Sequence, residues 1–141
     1  MSDTHYFEDV FCRLVVNNEW EEIYHVSSTL QREVSILIDA SNAIWIDWGD
    51  QSEVTLSPPY GAKLPFKLWV HTHPNMPAYW SATDRDSLRI ASNILETAYV
   101  LGRDGLLFTR SNLGPDAVCI PGLPWSQENV TQWSKVGEVI R

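Results

Sequence analysis

Two of the chain's four histidines, His71 and His73, are separated by a single residue, and Ser81 and Asp84 follow a short way downstream. Side chains alternate faces along a β-strand, so an H-x-H pair projects from one face about 6 to 7 Å apart and can converge on a single cation. Three protein ligands with a fourth position left for water mark a catalytic zinc centre, so such a pair needs one more ligand. Pro74 ends the strand, residues 75 to 80 bend away, and Ser81 starts a helix with Asp84 in its first turn, which can bring a carboxylate back to the histidines. The same residues have a plainer reading. Ser81-x-x-Asp84 is by itself a capping box with its acid near the positive end of the helix dipole, and an isolated H-x-H is common.

The elements that must position these residues can be read from the periodicity of the chain. VFCRLVV (10 to 16) has the β-branched content of a first strand. From Asn18, with Glu21 three positions later as in a capping box, apolar residues recur at Trp20, Ile23, Tyr24 and Leu30, which predicts an amphipathic helix over about 19 to 31. EVSILID (33 to 39) and the run from Ala43 to Trp48 read as strands joined by the turn-forming DASN. VTLS (54 to 57) is a further candidate strand. A proline-rich loop (58 to 65) then leads to KLWVHTH (67 to 73), the strand that carries the histidines.

A helix from about Thr83 follows, its apolar stripe containing Leu88, Ile90, Ala91, Ile94 and Leu95. AYVLG (98 to 102) and GLLFTR (105 to 110) form strands around an Arg103-Asp104-Gly105 turn. AVCI (117 to 120) is the expected last strand, and the segment 121 to 141 is read as helical from Ser126. The order β-α-β-β-(β)-β-α-β-β-β specifies an α+β or three-layer α/β domain, with a mixed sheet flanked by helices.

Of the 141 residues, 44% are hydrophobic, enough for one domain with its own core. Ten basic against eighteen acidic side chains give a formal charge of −8, which disfavours nucleic acid as a direct ligand. No apolar run approaches the roughly 20 residues needed to cross a bilayer, and the first residues lack the basic and apolar regions of a secretory signal, so no membrane association and a cytoplasmic location are expected. Cys12 and Cys119 are isolated and read as inert core thiols. His5 and His25 have no partners of metal-binding type and read as surface residues. Tyr79 and Trp80, just before Ser81, either pack in the core or line a substrate channel.

The joint spacing of residues 71 to 84 resembles the JAMM (MPN+, JAB domain) family of zinc isopeptidases, whose signature is an upstream Glu followed by H-[ST]-H-P-x6-S-x-x-D. His71, Thr72, His73, Pro74, Ser81 and Asp84 fill it completely. The resemblance covers about residues 10 to 120 and implies a single JAB/MPN-type domain with a cytidine deaminase-like three-layer arrangement. By it, His71, His73 and Asp84 hold one Zn2+ per chain with water in the fourth position, and Ser81 hydrogen-bonds the oxyanion. The family's general base is a Glu opening the first core strand just after the first helix. Glu33 occupies that place, whereas Glu21 and Glu22 lie on a solvent face and Glu53 in a turn. The implied activity is hydrolysis of the (iso)peptide bond after the C-terminal glycine of a ubiquitin-like protein or its precursor, with that protein or its C-terminal tail as partner. The competing class is an MPN-type binding or scaffold module without catalysis, which in that family accompanies loss of metal ligands.

Overall fold

The structure, a computed structural model, describes residues 3–48, 59–111, 125 and 130–140. Six strands form one mixed sheet in the order β2-β1-β3-β4-β5-β6, with helices on both faces. This is the mixed α/β class expected. The expected strands 54 to 57 and 117 to 120, together with Glu53 and Cys119, lie outside the described residues, as does the side chain of His5.

The first departure from expectation is at the start. Residues 10 to 16 are not a strand but the second half of helix α1, Asp3–Val16. Their β-branched residues suggest a strand, but Phe7, Phe11, Leu14 and Val15 fall on one helical stripe, and Phe11 and Val15 are buried in the core. Packing of that stripe outweighs a weak local preference.

Helix α2, Trp20–Leu30, lies where expected, but Asn18 does not cap it. Instead Asn18 takes a left-handed φ of 56° and closes α1, with Asn18 N–H donating to Val15 O and Glu19 N–H to Leu14 O. That is the Schellman pattern, which asparagine tolerates in place of glycine. Gln31 and Arg32 repeat the device at the end of α2, turning the chain into the first strand.

Strands β1, Val34–Ile38, and β2, Ile44–Trp48, form an antiparallel hairpin, and β1 also pairs antiparallel with β3, Phe66–Thr72. β3 and β4, Leu95–Leu101, are parallel, and the crossover between them carries helix α3, Ala82–Ala91. α3 is shorter than its apolar stripe suggests. Leu95 joins β4 opposite Phe66, and Ile90 is 77% exposed. A run of apolar residues serving first a helix and then a buried strand has one hydrophobicity signal for both, and pairing decides the boundary.

β5, Gly105–Arg110, and β6, Val130–Gln132, complete the sheet antiparallel. The C-terminal segment is therefore not helical throughout. After β6 it forms a 3-10 turn, Trp133–Lys135, and a short helix α4, Val136–Val139.

Strand alternation divides the core in two. Val34, Ile36, Leu68 and Val70 face α1 and α2, whereas Leu37, Trp69, Ala98 and Val100 pack with Leu88 and Ala91 of α3. No described helix is long and apolar enough to cross a membrane.

The β1–β2 turn is organised by Asp39. Its carboxylate accepts hydrogen bonds from Ser41 N–H and Oγ–H, Ala43 N–H, Trp45 Nε1–H and Lys63 N–H, tying the hairpin to the proline-rich loop. The Ser41 hydroxyl, reinforced by the Lys63, Trp45 and Ala43 donors and opposed by burial, holds this carboxyl well below the usual carboxylate range. A depressed native pKa adds stability that is full above the unfolded value of about 3.9 and is lost as pH falls below it. Asp39→Asn is therefore expected to lower Tm at pH 7 and to flatten the fall of Tm on acidification below about pH 4. Thermal melts of both proteins from pH 7 to pH 2 measure this, and parallel curves would contradict it.

Candidate metal centre

β3 is buried along nearly its whole length, and its last turns set the chemistry. Trp69 and His71 point to the α3 face, while Thr72, between the histidines, points to the other. There the Thr72 hydroxyl accepts from Val34 N–H and is hydrogen-bonded to Ser27 Oγ of α2. Both hydroxyls are buried, so this link fixes the strand end against α2 and holds its alternation in register.

Beyond the strand, Asn75 turns the chain with φ 59° and donates its N–H to Ser28 Oγ. The loop then runs against the β4–β5 turn. Arg103 N–H donates to Met76 O at 2.7 Å, and Asp104 Oδ1 accepts from Ala78 N–H at 2.8 Å. Gly102 permits this approach, since a Cβ there would lie 2.1 Å from Ala78 N. The same turn is gripped from behind by Trp133, whose Nε1–H donates to Gly102 O. The C-terminal segment, which carries no recognisable motif, thus braces the loop that leads to Ser81.

The capping box expected at Ser81 is present in both directions: Ser81 Oγ accepts from Asp84 N–H, and Asp84 Oδ2 accepts from Ser81 N–H. The cap also aims the carboxylate at the histidines. Asp84 Oδ2 lies 2.9 Å from His71 Nε2 and 3.2 Å from His73 Nε2. One candidate ligand atom from each of the three residues falls within 4.8 Å of the others, and all three residues are buried.

Burial pushes the Asp84 carboxyl up, but the contacts with His71 and His73 and the Ser81 N–H outweigh it and hold the group well below the usual carboxylate range. Asp84 is therefore anionic near neutral pH, as a ligand must be. The short His71 contact lacks the direction of a hydrogen bond, and both ring nitrogens of His71 are buried without a hydrogen-bond partner among the described residues. An imidazole in that condition is costly unless something else uses its lone pair. The donor set and this orphaned nitrogen fit a metal ion.

Glu33 immediately precedes β1 and is half-buried. Ser35 is the antiparallel partner of His71, the last pair of the β1/β3 ladder, and that register continued by two further pairs sets Glu33 opposite His73, on the face of Ser35 and His71. The remaining sequence candidates separate cleanly. Glu21 and Glu22 are exposed, and His25 is exposed beside Glu21 at 3.6 Å. Cys12 is half-buried, and burial with Asp9 and Glu8 nearby raises its thiol pKa, which suits an inert role. Trp80 is core, 5% exposed, whereas Tyr79 is 40% exposed and sets its ring edge against His73 at 4.6 Å. Sequence reading overlooked Trp69, Gly102 and Asp104 at this site. Trp69 and Gly102 have no ligand's chemistry, the Asp104 carboxylate accepts from Ala78 N–H, and each matters through a contact distant in sequence.

No family model matches this chain, and neither the curated proteins nor the solved structures compared with it contain a match.

Gly102→Ala should disturb the site without touching a ligand. Overpacking of this kind typically costs about 1–3 kcal/mol, and the displaced loop should weaken divalent-metal binding by about tenfold or more. Thermal melts and metal titration check both effects, and unchanged affinity would show that the brace does not set the site.

Proposed function

We propose that the protein is a zinc-dependent isopeptidase of the JAMM type, hydrolysing the (iso)peptide bond after the C-terminal glycine of a ubiquitin-like protein or its precursor. The observation that carries this reading is the convergence of His71, His73 and Asp84, with the ring nitrogens of His71 buried and lacking a hydrogen-bond partner among the described residues, at the spacing H-x-H-P-x6-S-x-x-D. A structural capping box explains Ser81 and Asp84 but not the two buried imidazoles that converge on the same carboxylate oxygen. Every ligand position is filled, which favours catalysis over a scaffold module.

His71, His73 and Asp84 hold the ion. Zinc bound there supplies Lewis acidity toward a water molecule and a carbonyl oxygen. Glu33, across from His73, accepts a proton from the attacking water and returns it to the leaving amine, the acid and base work that amide hydrolysis needs. Ser81 Oγ already accepts from Asp84 N–H, so its O–H remains to donate to the oxyanion. No covalent intermediate is required, and Cys12 takes no part.

β3 is paired on both sides, so a substrate tail reaches the centre across the loop after Pro74, where Met76 and Tyr79 present exposed apolar surface. An extended tail ending in small residues fits such an approach.

Protein purified without a histidine tag should bind one zinc per chain, and Asp84→Asn should lose most of it. Stoichiometry near zero in zinc-supplemented protein would sink the reading. Glu33→Gln should retain zinc and fold but abolish cleavage of a ubiquitin-like fusion, and wild-type turnover in that variant would show that another group is the base. Ser81→Ala should keep the metal and slow cleavage by about 10²-fold.

A further inference from the structure

Imidazoles that ligate metals ordinarily donate their second ring N–H to a carboxylate or carbonyl, which fixes the tautomer and the ring plane. His71 Nδ1 has no such acceptor among the described residues. Something else must hold the ring.

We infer that Ser35 and Trp69 are the positioning residues for His71, the Ser35 hydroxyl pinning the Trp69 indole and the indole face orienting the imidazole by stacking. This rests on the reading of His71 as a metal ligand. Trp69 and His71 are successive same-face residues of β3, and their rings stack with centroids 4.5 Å apart and planes 21° from parallel. A stack of two flat rings fixes tilt but leaves sliding and rotation in the plane unless the larger ring is itself fixed.

Trp69 is fully buried and its Nε1–H donates to Ser35 Oγ at 2.9 Å, a bond buried at both ends. Ser35 is also the Cα partner of His71 across the β1/β3 ladder, so the pairing that sets the histidine sets the acceptor for the indole. Trp80 closes a further side of the imidazole at 5.8 Å, with planes 44° apart, but its own Nε1 is buried without a hydrogen-bond partner among the described residues, so none of them pins that ring in the same way. Where a hydroxyl-free residue stood at position 35, the Trp69 N–H would be orphaned in the core and the indole would relax toward another acceptor.

The test compares untagged wild-type protein with Ser35→Ala, Ser35→Thr and Trp69→Phe, using Ile36→Val on the opposite face of β1 as a variant of stability alone. Zinc affinity is measured by competition with a chromophoric chelator, and the ring-nitrogen NMR signals of His71 are read in metal-free protein at one fixed pH. Ser35→Ala and Trp69→Phe should weaken zinc binding by about tenfold or more and shift and broaden the His71 ring-nitrogen signals as the ring loses its fixed plane. Ser35→Thr keeps the hydroxyl and should restore both readouts, and Ile36→Val should lower Tm while leaving both unchanged.

Wild-type affinity with wild-type His71 signals in Ser35→Ala would overturn the inference, as would changes no larger than those of Ile36→Val. If Trp69→Phe does not fold, Ser35→Ala decides alone. If the wild type takes up no zinc, the functional reading fails, and the His71 signals of the metal-free proteins still decide whether Ser35 and Trp69 orient the ring.

Discussion

A carboxylate buried against two imidazoles governs this structure. Removing an ionised carboxyl from water costs several kcal/mol unless nearby groups replace the lost hydration. Asp84 meets that demand with one oxygen, on which His71, His73 and the Ser81 N–H converge. Each of those groups comes from a different local structure: a strand, the end of that strand, and a helix cap. For the oxygen to be satisfied, β3 must end in the right register, the loop after Pro74 must return at the right height, and α3 must begin at Ser81.

Much of the fold can be understood as the means of meeting those conditions. Ser27 and Thr72 fasten the strand end to α2 on one face, while the Ser35–Trp69 bond and the stack on His71 fasten it on the other. The loop sinks Ala78 and Trp80 into the core but leaves Asn75, Met76 and Tyr79 exposed. It is held by backbone hydrogen bonds to the β4–β5 turn, possible because Gly102 has no Cβ, and the turn is held by Trp133 from the C-terminal segment. The parallel pairing of β3 with β4 then follows from the crossover through α3, which must pass over the face that bears the histidines.

The site is buried and aromatic. Trp69 and Trp80 pack on His71 and Tyr79 on His73, while Tyr79 and Met76 stay exposed at the rim. Low local polarity strengthens every charge interaction there, including any with a bound cation. It also raises the cost of leaving the ring nitrogens of His71 without a hydrogen-bond partner among the described residues.

The candidate site was legible in the sequence because it is carried by short spacings. H-x-H on a strand and S-x-x-D at a helix start follow from two local periods, two residues for the strand and a single turn for the cap, and both hold in the folded chain. The β1 and β2 hairpin, the helix after Asn18 and the strand pair around Arg103 and Asp104 were legible for the same reason. What the sequence could not settle was whatever depends on which surface an apolar residue meets.

Residues 10 to 16 have the composition of a strand and became a helix because Phe11 and Val15 found the sheet. Leu95 extended a helical stripe and became a strand because Phe66 lay beside it. Asn18 carried the mark of an N-cap and closed the preceding helix instead. Ser35, Trp69, Gly102 and Trp133 show no local sign of their roles, since a hydrogen bond or close approach between residues tens of positions apart leaves no trace in either neighbourhood. Sequence alone determined which groups can act and how neighbouring ones are spaced. Tertiary structure decided which of them meet, because burial and long-range pairing are properties of the assembled sheet and not of any segment within it.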